Sequence, residues 1–243
     1  TPTLVPDPDA AATRTAGVVD VDFDADLRRK LVSLAGGKAT EFMTVHAVFA
    51  ALLHRLHGDP EVHLAGAASD VVIGTPVAGR TDPRLADLVG MFVNSVVLRT
   101  KVDGDAGFST LLDTIRSTDL EALSQADMPF EEIVSMLNPP RTQSHPIFQI
   151  ALAVDAAVSD NPAPAASGPS LAGLEVTTDE IDTGAARFDL ELRLRGDVAR
   201  FTYATDVFGQ ERITALADTF IRLARAIVDD PDAPIDSLPI LTP

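Results

Sequence analysis

Three stretches of nearly unbroken apolar residues constrain this chain more than any other feature. Val71-Val72-Ile73, Val96-Val97-Leu98 and the run from Ile147 to Val154 show no polar–apolar alternation, apart from Gln149 in the last. A strand with one wet face alternates, whereas a strand covered on both faces does not. Around these runs lie segments whose apolar residues recur with the helical period. Val45, Phe49, Leu52 and Leu56 form one stripe, and Phe108, Leu111, Leu112 and Ile115 another. Doubly covered strands set among amphipathic helices predict an α/β fold.

The remaining elements follow from local chemistry. Val19, Val21 and Phe23 alternate with Asp20, Asp22 and Asp24, as a half-buried strand requires. Asp24 is placed to cap a helix carrying Leu27, Leu31 and Leu34, and Gly36-Gly37 is placed to end it. Thr40 is the next cap. A further helix is expected from Asp127 as cap, with Pro129 in its first turn and Phe130, Ile133, Val134 and Leu137 as its buried stripe. Asn138-Pro139-Pro140 stops it. Phe188, Leu190, Leu192 and Leu194 alternate with charged residues up to a Gly196-Asp197 turn, which predicts a hairpin with Ala199, Phe201 and Tyr203. A last long helix carries Ile213, Leu216, Phe220, Leu223 and Ile227 and ends at Asp229-Asp230-Pro231. Residues 1–16 read as an extended lead-in, 17–231 as one lobe, 156–170 as a loop, and 232–243, with three prolines, as an exit linker.

Charge and composition exclude several functions. The net charge of −17 and the absence of any Lys/Arg-rich block argue against a nucleic-acid or anionic-membrane partner. No cysteine is present, so disulfides, thiolate metal sites and a cysteine nucleophile are ruled out together. No signal-like segment and no apolar run of about 18 residues occurs, and a cytoplasmic location is the expectation.

Candidate chemistry is sparse. Gly74 through Thr81 nearly matches a phosphate-binding loop, but Arg80 replaces the lysine, Pro76 removes a backbone donor and Asp82-Pro83 follows in place of a helix. A strand exit with Arg80 paired to a nearby acid fits better. His54, His57 and His63 lack a specific metal spacing, so solvated histidines are expected and no metal site is assigned. No Gly-x-Ser-x-Gly occurs, and the adjacent Glu131 and Glu132 suit a helix N-terminus better than acid–base work. Asn94 stands out because an amide beside a buried strand is costly without partners. It either bonds backbone or projects into a substrate channel.

The order of several short motifs resembles the condensation domains of nonribosomal peptide synthetases. The matching segments are 72–80 (Val-Ile-Gly-Thr-Pro-Val-Ala-Gly-Arg), Gly90-x-Phe92-x-Asn94 with Arg99, and Pro129-Phe130-Glu131. They continue with Arg141 and His145 to Gln149, then Tyr203, Asp206 and Phe208, and the tail Ile235 to Leu241. They stand in register from about residue 4 to the C-terminus. An epimerisation domain lacks the Phe-x-Asn-x-x-x-x-Arg pattern, so Asn94 and Arg99 speak against that relative. The resemblance implies a chloramphenicol-acetyltransferase-like lobe, a mixed β-sheet packed with helices. Residues 1–16 would be the inter-lobe crossover, 17–231 the C-terminal lobe and 232–243 a linker toward an adenylation domain.

It further implies the attack of one carrier-bound amine on another carrier's thioester. Phosphopantetheine arms of donor and acceptor peptidyl carrier proteins would deliver the substrates, and no cofactor would bind directly. The other partners implied are the N-terminal lobe of the same domain and a downstream adenylation domain. Asn94 would line the tunnel and Ala78 would lie near the acceptor, while Gly74, Gly79, Arg80, Arg99, Pro129 and Phe130 would serve structure. The family's His-His-x-x-x-Asp-Gly string does not occur in this chain, so no catalytic residue is assigned and the isolated lobe is expected to be inactive. A non-catalytic platform that docks a carrier protein or a tailoring enzyme is the alternative.

Overall fold

The computed structural model describes residues 3–4, 14–56, 64–65, 70–80, 82–85, 87–140, 145–155 and 184–240. Its centre is a six-stranded mixed sheet. The strands are β2 (Ala16–Asp22), β4 (Asp70–Val77), β5 (Asn94–Lys101), β6 (Ile150–Val154), β7 (Leu190–Arg195) and β8 (Val198–Ala204). They lie side by side in the order β2-β8-β7-β6-β4-β5. The two central junctions, β7 with β6 and β6 with β4, are parallel, and the outer pairs are antiparallel. A two-residue pairing of β1 (Thr3–Leu4) with β3 (Leu64–Ala65) stands apart.

Four helices cover one face: α1 (Ala25–Leu34), α2 (Glu41–Leu56), α3 (Phe108–Ser124) and α5 (Gln210–Asp229). Each begins and ends where its sequence dictates. Asp24 Oδ1 accepts from the amides of Asp26 and Leu27, both at 2.9 Å, and Thr40 Oγ1 accepts from Met43 at 3.2 Å. After α1, Gly36 and Gly37 turn the chain at φ +54° and +76°, angles that only glycine adopts cheaply. α2 is buried on nearly every side, which makes it the central helix of the layer. Its Phe49 meets Phe23 and Phe201 around Phe220 of α5.

The period of two then decides what the other face of the sheet carries. Val71, Ile73, Ile150, Leu152, Leu190, Leu192, Leu194 and Phe201 point into the helical core, and the buried Leu98 pairs with Ile73. Val72, Gly74, Val97, Ala151, Glu191, Arg193, Arg200 and Thr202 alternate with them and face away from the helices. The doubly buried reading holds for β4 and β6 but not for β5. That strand is an edge, its burial alternates, and Arg99 is exposed. An edge strand has a neighbour on one side only, so its outward side chains stay in water.

One expectation about the chain's tail changes. The tail up to Ile240 does not hang free: Ile235 and Leu238 are buried, and Ile235–Ser237 forms a short 3-10 turn. Arg55 donates to the carbonyls of Asp236 and Leu238, and Arg222 to that of Ile240. Two apolar side chains, burying at roughly 1.5–3 kcal/mol each, hold a segment whose proline content alone reads as a linker. The loop expected at 156–170 and Arg141 lie outside the described residues. Among the described residues no helix is long and apolar enough to cross a membrane.

Candidate functional site

The face turned away from the helices carries a cavity of about 580 Å³. Its floor is the sheet, through Gly74, Thr75, Ala151, Glu191, Arg193, Arg200 and Thr202. Met91, Val93 and Asn94 rise on one side, and Phe130, Phe148 and Phe188 on another. Charged side chains on this floor are paired in place. Arg200 Nε meets Asp20 at 2.8 Å and holds its carboxyl below the usual range, and Arg193 reaches Glu191 at 3.2 Å and Asp155 at 3.6 Å. A half-polar, open floor is suited to a wetted channel rather than to a dry interface.

Asn94 is fixed entirely by backbone. Its Nδ2 donates to the carbonyls of Ala126 (2.8 Å) and Met128 (2.7 Å), and its Oδ1 accepts from the amides of Ser95 (2.9 Å) and Phe130 (3.1 Å). Both donors and both lone pairs are thereby used. The chain leaves α3 on the helical face, is clamped by Asn94 at the edge of β5, and enters α4 (Phe130–Leu137), whose Phe130 packs on the other face. Asp127 is therefore not the cap of α4. Pro129 occupies that position in extended conformation, and the oxygen that receives the Phe130 amide comes from Asn94 on the neighbouring strand. The stripe expected on α4 is also only partly buried. Phe130 is enclosed, whereas Leu137 and Met136 are 64% and 76% exposed. Leu137 borders a second cavity of about 420 Å³ lined also by Val72, Val97, Ile133 and Ile147.

The other predicted positions divide in function. A Cβ on Gly74 would run into the Phe148 ring, so glycine there lets the aromatic lie flat on the sheet. Gly79 has φ +64°, and a Cβ would strike the carbonyl of Phe92. Among the described residues Arg80 pairs with no acid, contrary to expectation. Its guanidinium donates to the carbonyls of Leu85 and Leu88 and stacks 4.3 Å from the Phe92 ring centre, because a planar five-donor fork can serve several acceptors of one loop at once. Arg99 grips Asp70 on β4 through Nε and Nη2 at 2.9 and 2.6 Å. Ala78 lies exposed just beyond the end of β4. The loop that Arg80 organises presents Leu88, Val89, Met91 and Val93 to solvent, with Val89 and Met91 almost fully exposed.

Sequence reasoning passed over two groups, one buried and one half-buried. His46 on α2 and Asp119 on α3 are fully enclosed, with Nδ1 3.1 Å from the carboxylate. Asp119 continues the α3 stripe four residues after Ile115, and a charge at a core position signals a partner. His145 is the second. It stacks between Phe130 at 5.3 Å, Phe148 at 4.3 Å and Phe188 at 5.1 Å. His54, a suggested metal ligand, turns to Asp236 instead at 2.9 Å, and His57 and His63 lie outside the described residues. No group of three metal-ligating side chains occurs among the described residues.

Burial in that aromatic cage pushes the His145 imidazole below its ordinary 6.5. The unfolded chain then takes up the proton first, so stability conferred by neutral His145 is complete above about 6.5 and is lost as pH falls below it. Asp189, raised by desolvation although Arg14 binds it at 2.7 Å, acts in the opposite sense at lower pH. The urea midpoint is expected to drop between about pH 7.5 and about pH 5.5, and His145→Asn to lessen that drop. An equal drop in both proteins would mean that other groups carry it.

The family model of the Condensation domain matches residues 2–243. CymA of Salinispora arenicola (strain CNS-205), a probable nonribosomal peptide synthetase, is 40% identical over 96% of this chain, which spans 3% of that protein. Among solved structures, the complex of the X-domain and OxyB from teicoplanin biosynthesis superposes with a TM-score of 0.78 at 25% identity, covering 99% of this chain and 51% of that one. The first condensation domain of the calcium-dependent antibiotic synthetase, in complex with a substrate analogue, has the same fold at a TM-score of 0.70 and 20% identity, over 96% of this chain and 48% of that one. The chain thus spans about half the length of the solved domains it matches. Its mixed sheet with helices on one face is the chloramphenicol-acetyltransferase-like architecture. On the family match over its whole length and this shared architecture, the chain belongs to the condensation domain family.

Proposed function

We propose that this chain is the C-terminal lobe of a condensation domain. In this reading the domain forms the amide bond between carrier-bound aminoacyl or peptidyl thioesters in nonribosomal peptide synthesis. The observation that carries the reading is the sheet face turned away from the helices, which among the described residues carries a partly open cavity of about 580 Å³, half polar and flanked by an exposed apolar loop. Such a face is suited to form one wall of a tunnel whose other wall is an N-terminal lobe. Exposed apolar clusters of this kind mark interfaces, and Leu88, Val89, Met91 and Val93 would pack against that lobe.

Within this reading, the phosphopantetheine arms of donor and acceptor carrier proteins enter the tunnel, and nothing else is needed as cofactor. Asn94 stands at the rim as the clamp that places α4 and Phe130, since its amide has no capacity left for substrate. Ala78 lies toward the acceptor side. The proton-handling histidine pair belongs to the family's other lobe, so this chain alone aligns no amine and does not make the bond. His145 is no substitute, because its Nδ1 faces backbone carbonyls and its ring is enclosed by phenyls. Residues 232–243 lead toward an adenylation domain, and the setting is cytoplasmic.

The likeness to an X-domain solved with OxyB supports a second reading, in which the lobe serves as a docking platform. Hydrogen exchange separates the two. Adding the N-terminal lobe of a condensation relative as a separate polypeptide is expected to protect 87–93 and the open strand face. Protection confined to the outer helices α1 and α5 would sink the tunnel reading in favour of the platform.

A further inference from the structure

Ile147 has φ +72°, a region that a β-branched residue enters only under constraint. The amide of Phe148 donates to the carbonyl of Pro146 at 2.9 Å, closing a three-residue turn with Ile147 at its centre. The positive-φ form of such a turn is the rare and strained one. It sits where both cavities meet. Ile147 lines the cavity behind α4, and Phe148 lies over Gly74 in the open-face cavity. Neither the short motif nor the family match explains what holds it.

His145 supplies the constraint. Its Nδ1 lies 3.0 Å from the carbonyl oxygen of Pro146 and 3.2 Å from that of Phe148. Both partners are acceptors only, so Nδ1 must carry the hydrogen. The carbonyl of His145 accepts from Gln149 Nε2 at 3.1 Å, and the carbonyl of Gln149 accepts from the amide of Asp189 at 2.9 Å, tying the turn to the approach to β7. Three phenyl rings fix the plane of the imidazole. Protonation adds a hydrogen at Nε2 and leaves Nδ1–H in place, so the hold persists in either charge state.

We propose that His145, through Nδ1–H, is the positioning residue of the partition between the two cavities. It pins the strained turn that aims Phe148 into the wall of the tunnel and Ile147 into the groove behind α4. The proposal rests on the tunnel reading given above. Neighbouring charges at the imidazole are Asp189 and Arg14, and neither competes for Nδ1.

The first test needs only this chain. Nitrogen-detected NMR of ¹⁵N-histidine protein at neutral pH is expected to show His145 as the Nδ1–H tautomer, the minor form of free histidine. An Nε2–H assignment overturns the proposal. The second test uses a complete condensation domain carrying these residues, in a carrier-to-carrier transfer assay. His145→Asn keeps a donor in place and is expected to retain KM and kcat within about twofold, whereas His145→Leu raises KM on the order of tenfold with kcat little changed. Equal effects of the two variants, or a loss in kcat alone, overturn the positioning role. A wild-type domain that forms no amide overturns the tunnel reading itself, and with it the role given to His145 in that wall. The tautomer, read on wild type, decides the geometry even where His145→Leu fails to fold.

Discussion

Replacing Asp119 with alanine is expected to destabilise the protein by about 3–5 kcal/mol, the cost of breaking one partner out of a buried polar pair. The carboxylate and the His46 imidazole are both fully enclosed between α2 and α3. Once Asp119 is gone, His46 keeps two ring nitrogens in an apolar interior without a protein partner, since Nε2 already lacks one among the described residues. Set against a typical total stability of about 5–15 kcal/mol, the loss removes a large share of it. The pair joins two helices of the core and touches neither cavity, so its effect is on stability. The double variant His46→Leu/Asp119→Leu removes both polar groups together and is expected to recover most of the loss. Urea unfolding at constant m-value measures both. A single Asp119→Ala variant within about 1 kcal/mol of wild type would show the pair to be of little consequence.

Asn94→Ala carries the second large effect, and it is local. Four hydrogen bonds of about 1 kcal/mol each are removed, discounted because the site is only half-buried. A net loss of about 2–3 kcal/mol is expected, concentrated where α4 leaves the edge of β5. The amides of Phe130 and Ser95 should then exchange on the order of 100-fold faster, while those of β6 and β7 change little. Asn94→Asp tests the same point by charge. It preserves the acceptor for Phe130 but turns the two donors into a carboxylate facing the carbonyls of Ala126 and Met128, so it is expected to be no better than alanine. Uniform loss of protection across the sheet would mean that Asn94 supports the fold as a whole rather than the placement of α4.

Much of this architecture was legible in the residues. Caps at Asp24 and Thr40, the Gly36-Gly37 stop and the Gly196 turn act through neighbours in sequence, so a window of a few residues contains their physics. The α/β class was legible for the same reason, from runs and periods. What eluded sequence reading depends on contacts between distant segments. Asp127 looked like the cap of α4 because a cap is usually local, whereas the oxygen that serves Phe130 comes from Asn94, 36 positions earlier. Val97 and Arg99 gave no sign that β5 is an edge, since that depends on strand order. The tail read as a linker because proline content hides what Ile235 and Leu238 bury.

The candidate site was legible in outline only. Asn94 was singled out as a costly amide, and both readings of it were open until its four backbone partners were seen. Arg80 was assigned an acid that it does not meet among the described residues, because the carbonyls of Leu85 and Leu88 and the ring of Phe92 converge only after the loop folds back. His145 went unremarked inside its motif. Its significance lies in the sign of one backbone angle at Ile147, which no pattern of side chains reports.

The account stands on a lobe that shapes substrate while another lobe moves the proton. Its most direct measurement is amide formation between a thioester-loaded donor carrier and an aminoacyl acceptor carrier, with this chain alone and with a complete condensation domain containing it. The complete domain is expected to yield the elongated product on the acceptor, and the chain alone none above the uncatalysed background. Product formed by the chain alone would contradict the account.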